Sequence, residues 1–454
     1  MTTDKQPTPT KDLADWVAGQ TSGDITPNAI TWAKHALLDW CGVTLGGSSD
    51  PLVQILIDDA LDGGEAGTNH LIGHTQRLIP SKAALINGAA SHALDFDDVN
   101  KKMSGHPTVT VAPAVIALAE QRHSKGREVI ESFVIGYETA CHVGEMMGRS
   151  HYEDGWHATA TVGTFGAAAA AAHLLGLDAA KTAATIGIAA TQASGLKSMF
   201  GTMCKPLHAG RAAMNGLLSA RWAARGFSSN ERALECHQGF AYTQSRTFQP
   251  IALRSGADCP FAVESNLFKY HAACFFTHAS IDAINEMREE FAFTAEEVLC
   301  VHAHIPRQHF DVCNIEQPRT GLEMKFSIRQ VMAMALAGLD TGDTELYNSK
   351  TAEQDNLIAL REKIQLHPKD FDSRHAAEVV IQLHGGHTYK KWKDVSVPAD
   401  DPSEQWGRLT EKFLRLAEPV VGLTRARQAI SLVGNLEQAD NIHPLLELLC
   451  PTEP

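Results

Sequence analysis

The chain has 454 residues, with 39 Lys and Arg against 53 Asp and Glu, for a formal net charge of -14. That length predicts two or three domains with ample buried core, and 44% hydrophobic with 20% charged residues excludes a disordered chain. The acidic balance argues against a general nucleic-acid binder, which needs a basic surface for phosphates, and 7% aromatic residues argue against a large aromatic-lined hydrocarbon pocket. An anionic small-molecule substrate stays open, because a pocket on an acidic protein can be locally basic.

The nine cysteines are scattered and form no Cys-x-x-Cys pair. That is the usage of reduced, mostly buried thiols in a cytoplasmic protein. Residues 1–16 contain no apolar core of a secretory signal. The most apolar stretch, residues 163–177, is too short to span a bilayer. A soluble cytoplasmic protein with no membrane partner is expected.

Taken in chain order, Thr26-Pro27 supplies an N-cap followed by proline at the first helical position. Ile30, Ala33, Leu37 and Cys41 recur at helical spacing, and Gly46-Gly47 predicts the end of that helix. Residues 81–94, 110–123, 129–147, 158–175, 179–193 and 206–224 predict further helices. Alanine and glycine are dense at 166–172. Small residues let helix axes approach closely, so the central helices are expected to be buried in a compact bundle. After about Cys259 the texture changes. Residues 297–305 alternate in part and are rich in β-branched side chains, which predicts a strand. Residues 378–383 predict a second strand, closed by the hairpin signal Gly385-Gly386. Helical patterns at 324–337 and 351–364 lie between them. Residues 398–402 form a Pro/Asp linker, and helical periodicity resumes at Ser403. The predicted fold is therefore mainly α: a large all-helical domain over 1–262 and again over 401–454, interrupted by a smaller α+β domain at 263–400. No repeat of solenoid period is evident.

Asp95-Phe96-Asp97-Asp98 places three carboxylates in four residues. Their mutual repulsion must be offset by capping, a cation or a metal. By itself the cluster predicts a helix end with solvated aspartates; the alternative is a metal-dependent enzyme built on it. Gly105-His106-Pro107 follows closely. Gly155-Trp156-His157 and Thr161 open the small-residue helix. In Lys205-Pro206-Leu207-His208, Pro206 is a natural first helical residue. Lys205 is then expected at or near an N-cap, where a lysine beside free N–H groups makes a carboxylate or phosphate site. Lys269, Cys274 and His278 form a Lys-x4-Cys-x3-His group near the domain change. No nucleotide-binding glycine motif and no Gly-x-Ser-x-Gly occurs. His302 and His304 share one side of a predicted strand, but no third ligand at recognisable spacing completes a metal site.

Together, ALINGAASHALDFDD (84–98), GHP (105–107), GWHATATVGTFGAAAAAA (155–172), MCKPLHAGRAAMNG (203–216) and EMKFS (323–327) resemble the MmgE/PrpD family. Its members include 2-methylcitrate dehydratase, cis-aconitate decarboxylase and iminodisuccinate epimerase. The resemblance runs from near the N-terminus to about residue 415. It implies a large all-helical domain with a smaller α+β lid, a homodimer, a site between the domains, small di- or tricarboxylate substrates, and no metal or organic cofactor. By position, Asp95, His106, His157, Lys205 and Lys269 correspond to the family's site. Lys205 and Lys269 are expected to hold substrate carboxylates, with His208 and Thr161 beside them. His106 and His157 are proton-transfer candidates, and Asp95 orients a histidine or holds a lysine. The decarboxylase branch carries a histidine where Cys274 stands, a tyrosine within a segment matching 313–317, and a threonine where Val99 stands. These departures count against cis-aconitate decarboxylation. The step from Asp95 to His106, the 200–206 segment and Cys274 are closer to the iminodisuccinate epimerase branch, in which Cys274 would be an acid or base. A cofactor-independent dehydratase or epimerase is thus expected, with decarboxylation or metal-dependent chemistry on the Asp95 cluster as the alternatives.

Overall fold

The computed structural model describes residues 8–254 and 259–452. The outermost residues of the expected helical domain, 1–7 and 453–454, lie outside them. Nine helices build the first half: α1 (Pro9–Gly19), α2 (Pro27–Gly47), α3 (Pro51–Asp62), α4 (Pro80–Ala93), α5 (Thr108–Arg122), α6 (Gly126–Glu153), α7 (Ala158–Leu174), α8 (Ala179–Ala190) and α9 (Cys204–Ala224). A small antiparallel ladder, β1 (Ala66–His70) with β2 (Arg77–Leu78), joins α3 to α4 and went unforeseen in the sequence. Thr26 caps α2 as expected, its Oγ1 accepting from the Ala29 N–H at 3.1 Å.

Small residues set the helix spacing. All of residues 158–172 are buried, so the alanine run is the middle of the bundle. A Cβ on Gly136 of α6 would stand 2.6 Å from the Gly166 carbonyl of α7. A Cβ on Gly210 of α9 would stand 2.0 Å from the Leu85 carbonyl of α4. This second approach matters for function, because it brings the C-terminal end of α4 beside the first turn of α9. The helix expected at 129–147 runs on to Glu153 across a kink at Gly148, whose φ of 65° only glycine adopts without strain.

After α10 (Phe240–Gln244), the chain forms α11 (His278–Phe291), β3 (Val298–Ile305), α12 (His309–Val312), α13 (Gly321–Lys325), α14 (Ile328–Leu336), α15 (Ser349–Ala352), α16 (Asp355–Glu362), β4 (Ile364–Pro368), β5 (Ala376–Leu383) and β6 (Thr388–Asp394). The sheet order is β4-β3-β5-β6, with β3 parallel to β4 and the other pairs antiparallel. Val301, Ala303, Val379 and Ile381 face inward onto α11 and α14, while His302 and His304 face out, with His302 hydrogen-bonded to His367 at 3.0 Å.

Two expected helices are broken. The 324–337 pattern divides at Phe326-Ser327, where the Phe326 carbonyl accepts from Ile315 N–H and the Ile328 N–H donates to the Cys313 carbonyl. Backbone pairing with a neighbouring segment replaces the helical ladder there. The 351–364 pattern ends at Glu362, because Ile364 opens β4 in register with Val301.

The last helices, α17 (Pro402–Val421), α18 (Leu423–Gly434) and α19 (His443–Leu448), pack back onto the first half. Asp401 caps α17 at the end of the expected linker. One hydrophobic cluster joins residues between Leu13 and Phe268 to residues between Leu409 and Leu449. A second centres on residues 272–383 and is joined by Val43, Phe96 and Leu416. No helix among the described residues is long and apolar enough to cross a membrane.

Candidate functional site

Helix α4 is capped by Leu94, and Asp95 follows in the left-handed region with a φ of 49°. This reversal throws the three aspartates in three directions, all of them buried rather than solvated. Asp95 Oδ1 accepts from Lys205 Nζ at 2.8 Å and from Lys269 Nζ at 2.9 Å. Burial disfavours its charge, but the two lysines outweigh burial and hold the carboxyl far below its ordinary range. Asp97 bridges two histidines: His92 Nδ1 lies 2.9 Å from Oδ1 and His106 Nδ1 lies 2.9 Å from Oδ2. Asp98 accepts from Asn266 at 2.6 Å and from Thr108, and burial pushes it up to about 7.

These contacts fix the histidine tautomers. His106 Nδ1 also lies 2.8 Å from the Asp98 carbonyl, which can only accept, so Nδ1 carries the proton and Nε2 is left with its lone pair. Burial lowers the His106 pKa, and Asp97 only partly offsets it. His92 donates from Nδ1 to Asp97 and accepts at Nε2 from Lys205 at 3.0 Å; burial pushes it down to about 3. His157, the residue before α7, stacks on His92 with ring centroids 5.9 Å apart, and its Nδ1 shares a proton with His208 Nδ1 at 3.0 Å. Burial and the nearby Lys205 keep His157 neutral.

A cleft of about 610 Å³, its open mouth included, gathers Asp95, His106, His157, Lys205 and Cys274. Helix α9 begins one residue before Lys205, so this lysine sits in the first turn and reaches across to Asp95 instead of standing free at a cap. Three expected substrate contacts are placed otherwise. Lys269 is fully buried and lies outside the cleft lining; it donates to both the carboxylate and the carbonyl of Asp95, so it holds Asp95. His208 stands behind His157. Thr161 bonds to His151 at 2.7 Å inside the bundle, whereas Thr159 lines the cleft and accepts from the His106 N–H at 3.2 Å.

Cys274 lines the cleft beside the buried thiol of Cys313. The Cys313 hydrogen bond lowers the Cys274 pKa, and Cys313 is correspondingly raised. Further residues escaped sequence reasoning. His92 lies within the quoted 84–98 block, one helical turn before Asp95. Lys325, in the 323–327 block, donates to the Leu94 carbonyl, and burial pushes it down to about 7. Lys412 of α17 pairs with Asp39 of α2 at 2.6 Å and donates to the Phe96 carbonyl at 2.7 Å, holding the loop that carries the site. Lys412→Met leaves Asp39 buried and alone, and an unpaired buried charge costs about 3–5 kcal/mol. Urea denaturation of the variant is expected to show a loss of that order; a change under about 1 kcal/mol would contradict this account.

His92, Asp95, Asp97 and His106 each offer one ligand atom within 4.8 Å of the others, which is a metal-like grouping. Lys205 and Lys269 already occupy Asp95 Oδ1, however, and Lys205 occupies His92 Nε2, while Asp95 Oδ2 has no partner among the described residues. A divalent cation at that oxygen would lie against two ammonium ions, so the donor set fits fixed positive charge better than a metal.

The chain matches the MmgE/PrpD N-terminal domain over residues 11–251 and the MmgE/PrpD C-terminal domain over residues 271–438. The second match takes in α17 and α18, which pack with the helical body. Cis-aconitate decarboxylase of Aspergillus terreus is 26% identical over 480 aligned residues, covering 98% of this chain and 96% of that protein. Cis-aconitate decarboxylases of Homo sapiens and Mus musculus are 27% and 26% identical, each over 97% of this chain and over 94% and 93% of their own lengths. With both family domains matched in order, this chain belongs to the MmgE/PrpD family, and its relatives are lyases.

Proposed function

We propose that this protein is a cofactor-independent lyase or isomerase that moves a proton at the carbon beside a carboxylate of a small di- or tricarboxylate, by epimerisation or dehydration. The observation that carries the reading is the His106 tautomer: a neutral imidazole with Nδ1–H tied down and Nε2 free is a ready base. Removing such a proton builds negative charge on the carboxylate oxygens, and Lys205 on the same cleft wall is the cation that would meet it. Cys274 or His157 would return a proton to carbon or protonate a leaving hydroxyl. The α+β unit would act as a lid over the cleft in a cytoplasmic homodimer.

The relatives favour a second reading, decarboxylation of cis-aconitate or a similar tricarboxylate. Against it stand Cys274, Val99 and the lack of tyrosine in 313–317. Incubation in D2O with iminodisuccinate, 2-methylcitrate, citrate and cis-aconitate, followed by proton NMR, separates the three. Deuterium entering beside a carboxylate without net product indicates epimerisation, a new vinyl signal dehydration, and CO2 release decarboxylation. No exchange or conversion of any of the four would sink the substrate class. Activity is expected to survive EDTA; its loss, with recovery on adding a divalent metal, would favour the metal-dependent alternative.

A further inference from the structure

The connection between β4 and β5 delivers Arg374 and His375 into the cleft, and neither belongs to the proton-transfer group above. Both residues also line an adjoining outer cleft with Lys101 and Ser104, so together they mark the passage between the two spaces. Their hydrogen bonding is incomplete. His375 is 5% exposed, yet both its ring nitrogens lack any partner among the described residues. The rings of Phe275 and Phe276 flank it, with centroids 5.3 and 5.4 Å away, so no protein group is placed to satisfy it. Buried polar atoms are normally paired, and an orphaned imidazole at a cavity wall is a group waiting for a ligand. Arg374 donates from Nη2 to Ser104 Oγ at 2.9 Å and has no carboxylate partner among the described residues. Its backbone is fixed by His309, whose Nε2 donates to the Arg374 carbonyl at 2.8 Å.

The charge balance points the same way. Lys205 and Lys269 bring two positive charges to the inner end of the cleft, and Asp95 together with Asp97 among its neutral histidines already balances them. A ligand with two or three carboxylates therefore needs further cations, and Arg374 and Lys101 at the mouth have no carboxylate partner among the described residues. Burial, with Arg374, His309 and Lys101 around it, pushes His375 down to about 3, so it is neutral with one N–H to give.

We propose that Arg374 and His375 form the seat of a second carboxylate, one not attached to the reacting carbon, so that the enzyme selects linear di- and tricarboxylates over monocarboxylates. This rests on the proposed function and names the residues that would set its substrate class. The guanidinium would donate to the carboxylate side-on through its paired N–H groups, and His375 would donate a third hydrogen bond. Because Arg374 also touches Ser104 of the helical body, a seated ligand would tie the α+β unit to that body.

Calorimetric titration with tricarballylate, a stable tricarboxylate lacking a leaving group, tests the seat, with butyrate binding followed by ligand-observed NMR as the monocarboxylate control. Wild type is expected to bind tricarballylate. Arg374→Gln is expected to weaken that binding about 30-fold, the size of a lost charge-assisted hydrogen bond. His375→Leu should weaken it several-fold, and Arg374→Lys should recover part of the loss. Butyrate binding should not change in any variant. Circular dichroism checks folding; should Arg374→Gln misfold, His375→Leu and Arg374→Lys carry the test. Unaltered tricarballylate affinity in the folded variants overturns the seat while leaving the proposed function intact. Equal losses for tricarballylate and butyrate also overturn it. A wild-type protein that binds no polycarboxylate overturns the proposed function and the seat with it.

Discussion

Asp95→Asn is expected to lower unfolding free energy by about 3–5 kcal/mol and to abolish turnover. The carboxylate oxygen that accepts hydrogen bonds from Lys205 and Lys269 is, among the described residues, the only anion in contact with either lysine. An amide in its place leaves two buried ammonium ions 2.8 and 2.9 Å from a group that no longer answers them. The loss has a definite pH signature. The folded pKa of Asp95 is depressed, so its stabilisation is present above the unfolded pKa and is lost as pH falls toward the folded one. Urea denaturation of wild type and variant should therefore differ by a constant amount from about pH 5 to 7. The gap should close only as pH drops below about 3.9, the ordinary aspartate value. Equal stability at pH 7 would show that the lysines find compensation elsewhere. Turnover fails for a linked reason: without Asp95, Lys205 is no longer held against the cleft wall.

His106→Gln should leave stability within about 1 kcal/mol of wild type and reduce kcat about 10²–10⁴-fold, the range of a lost general base. Glutamine can keep a hydrogen bond toward Asp97 and the Asp98 carbonyl, so packing survives while the lone pair at Nε2 is lost. In the wild type, burial sets the His106 pKa below the free histidine value of 6.5. A base works above its pKa. The acid limb of kcat/KM should accordingly lie below pH 6.5, and it should vanish in the glutamine variant. An acid limb above pH 6.5, or one unchanged in the variant, would assign the base elsewhere, with His157 the next candidate.

The helical half was legible because its signals are local. Caps, glycines and apolar spacing each act within a few residues, and α2, α4, α7 and α9 lie close to where their patterns place them. The α+β unit was less legible. β6 reads TYKKWKD, an edge strand dressed in lysines, and β4 is a five-residue segment; both depend on β3 and β5 to exist. At the site, the motif blocks carried the convergence of Asp95, His106, His157, Lys205 and Cys274. What they could not carry was direction. Thr159 and Thr161 are two residues apart on α7 and so point about 200° apart, one into the cleft and one into the bundle. Lys269 matched the pattern by position, yet its ammonium ends on Asp95. Arg374 and His375 gave no signal, since they sit in no motif and reach the cleft only through the strand connection that ends at β5.

The bond from Lys412 to the Phe96 carbonyl spans 316 positions of sequence. A ribosome adding about 5–20 residues per second makes the aspartate loop roughly 15–60 s before it makes the lysine that fastens it. Through that interval Asp39 lacks its ion-pair partner and the Phe96 carbonyl lacks its donor, so the aspartate loop waits without this fastening. The whole intervening α+β unit is synthesised, and can fold, before the bundle is completed. Assembly of the site is thus among the last events of biogenesis, and long-range closure of this kind is slow. Ribosome-stalled chains ending before residue 412 should accordingly remain protease-sensitive around residues 95–100, even where the flanking helices have already formed.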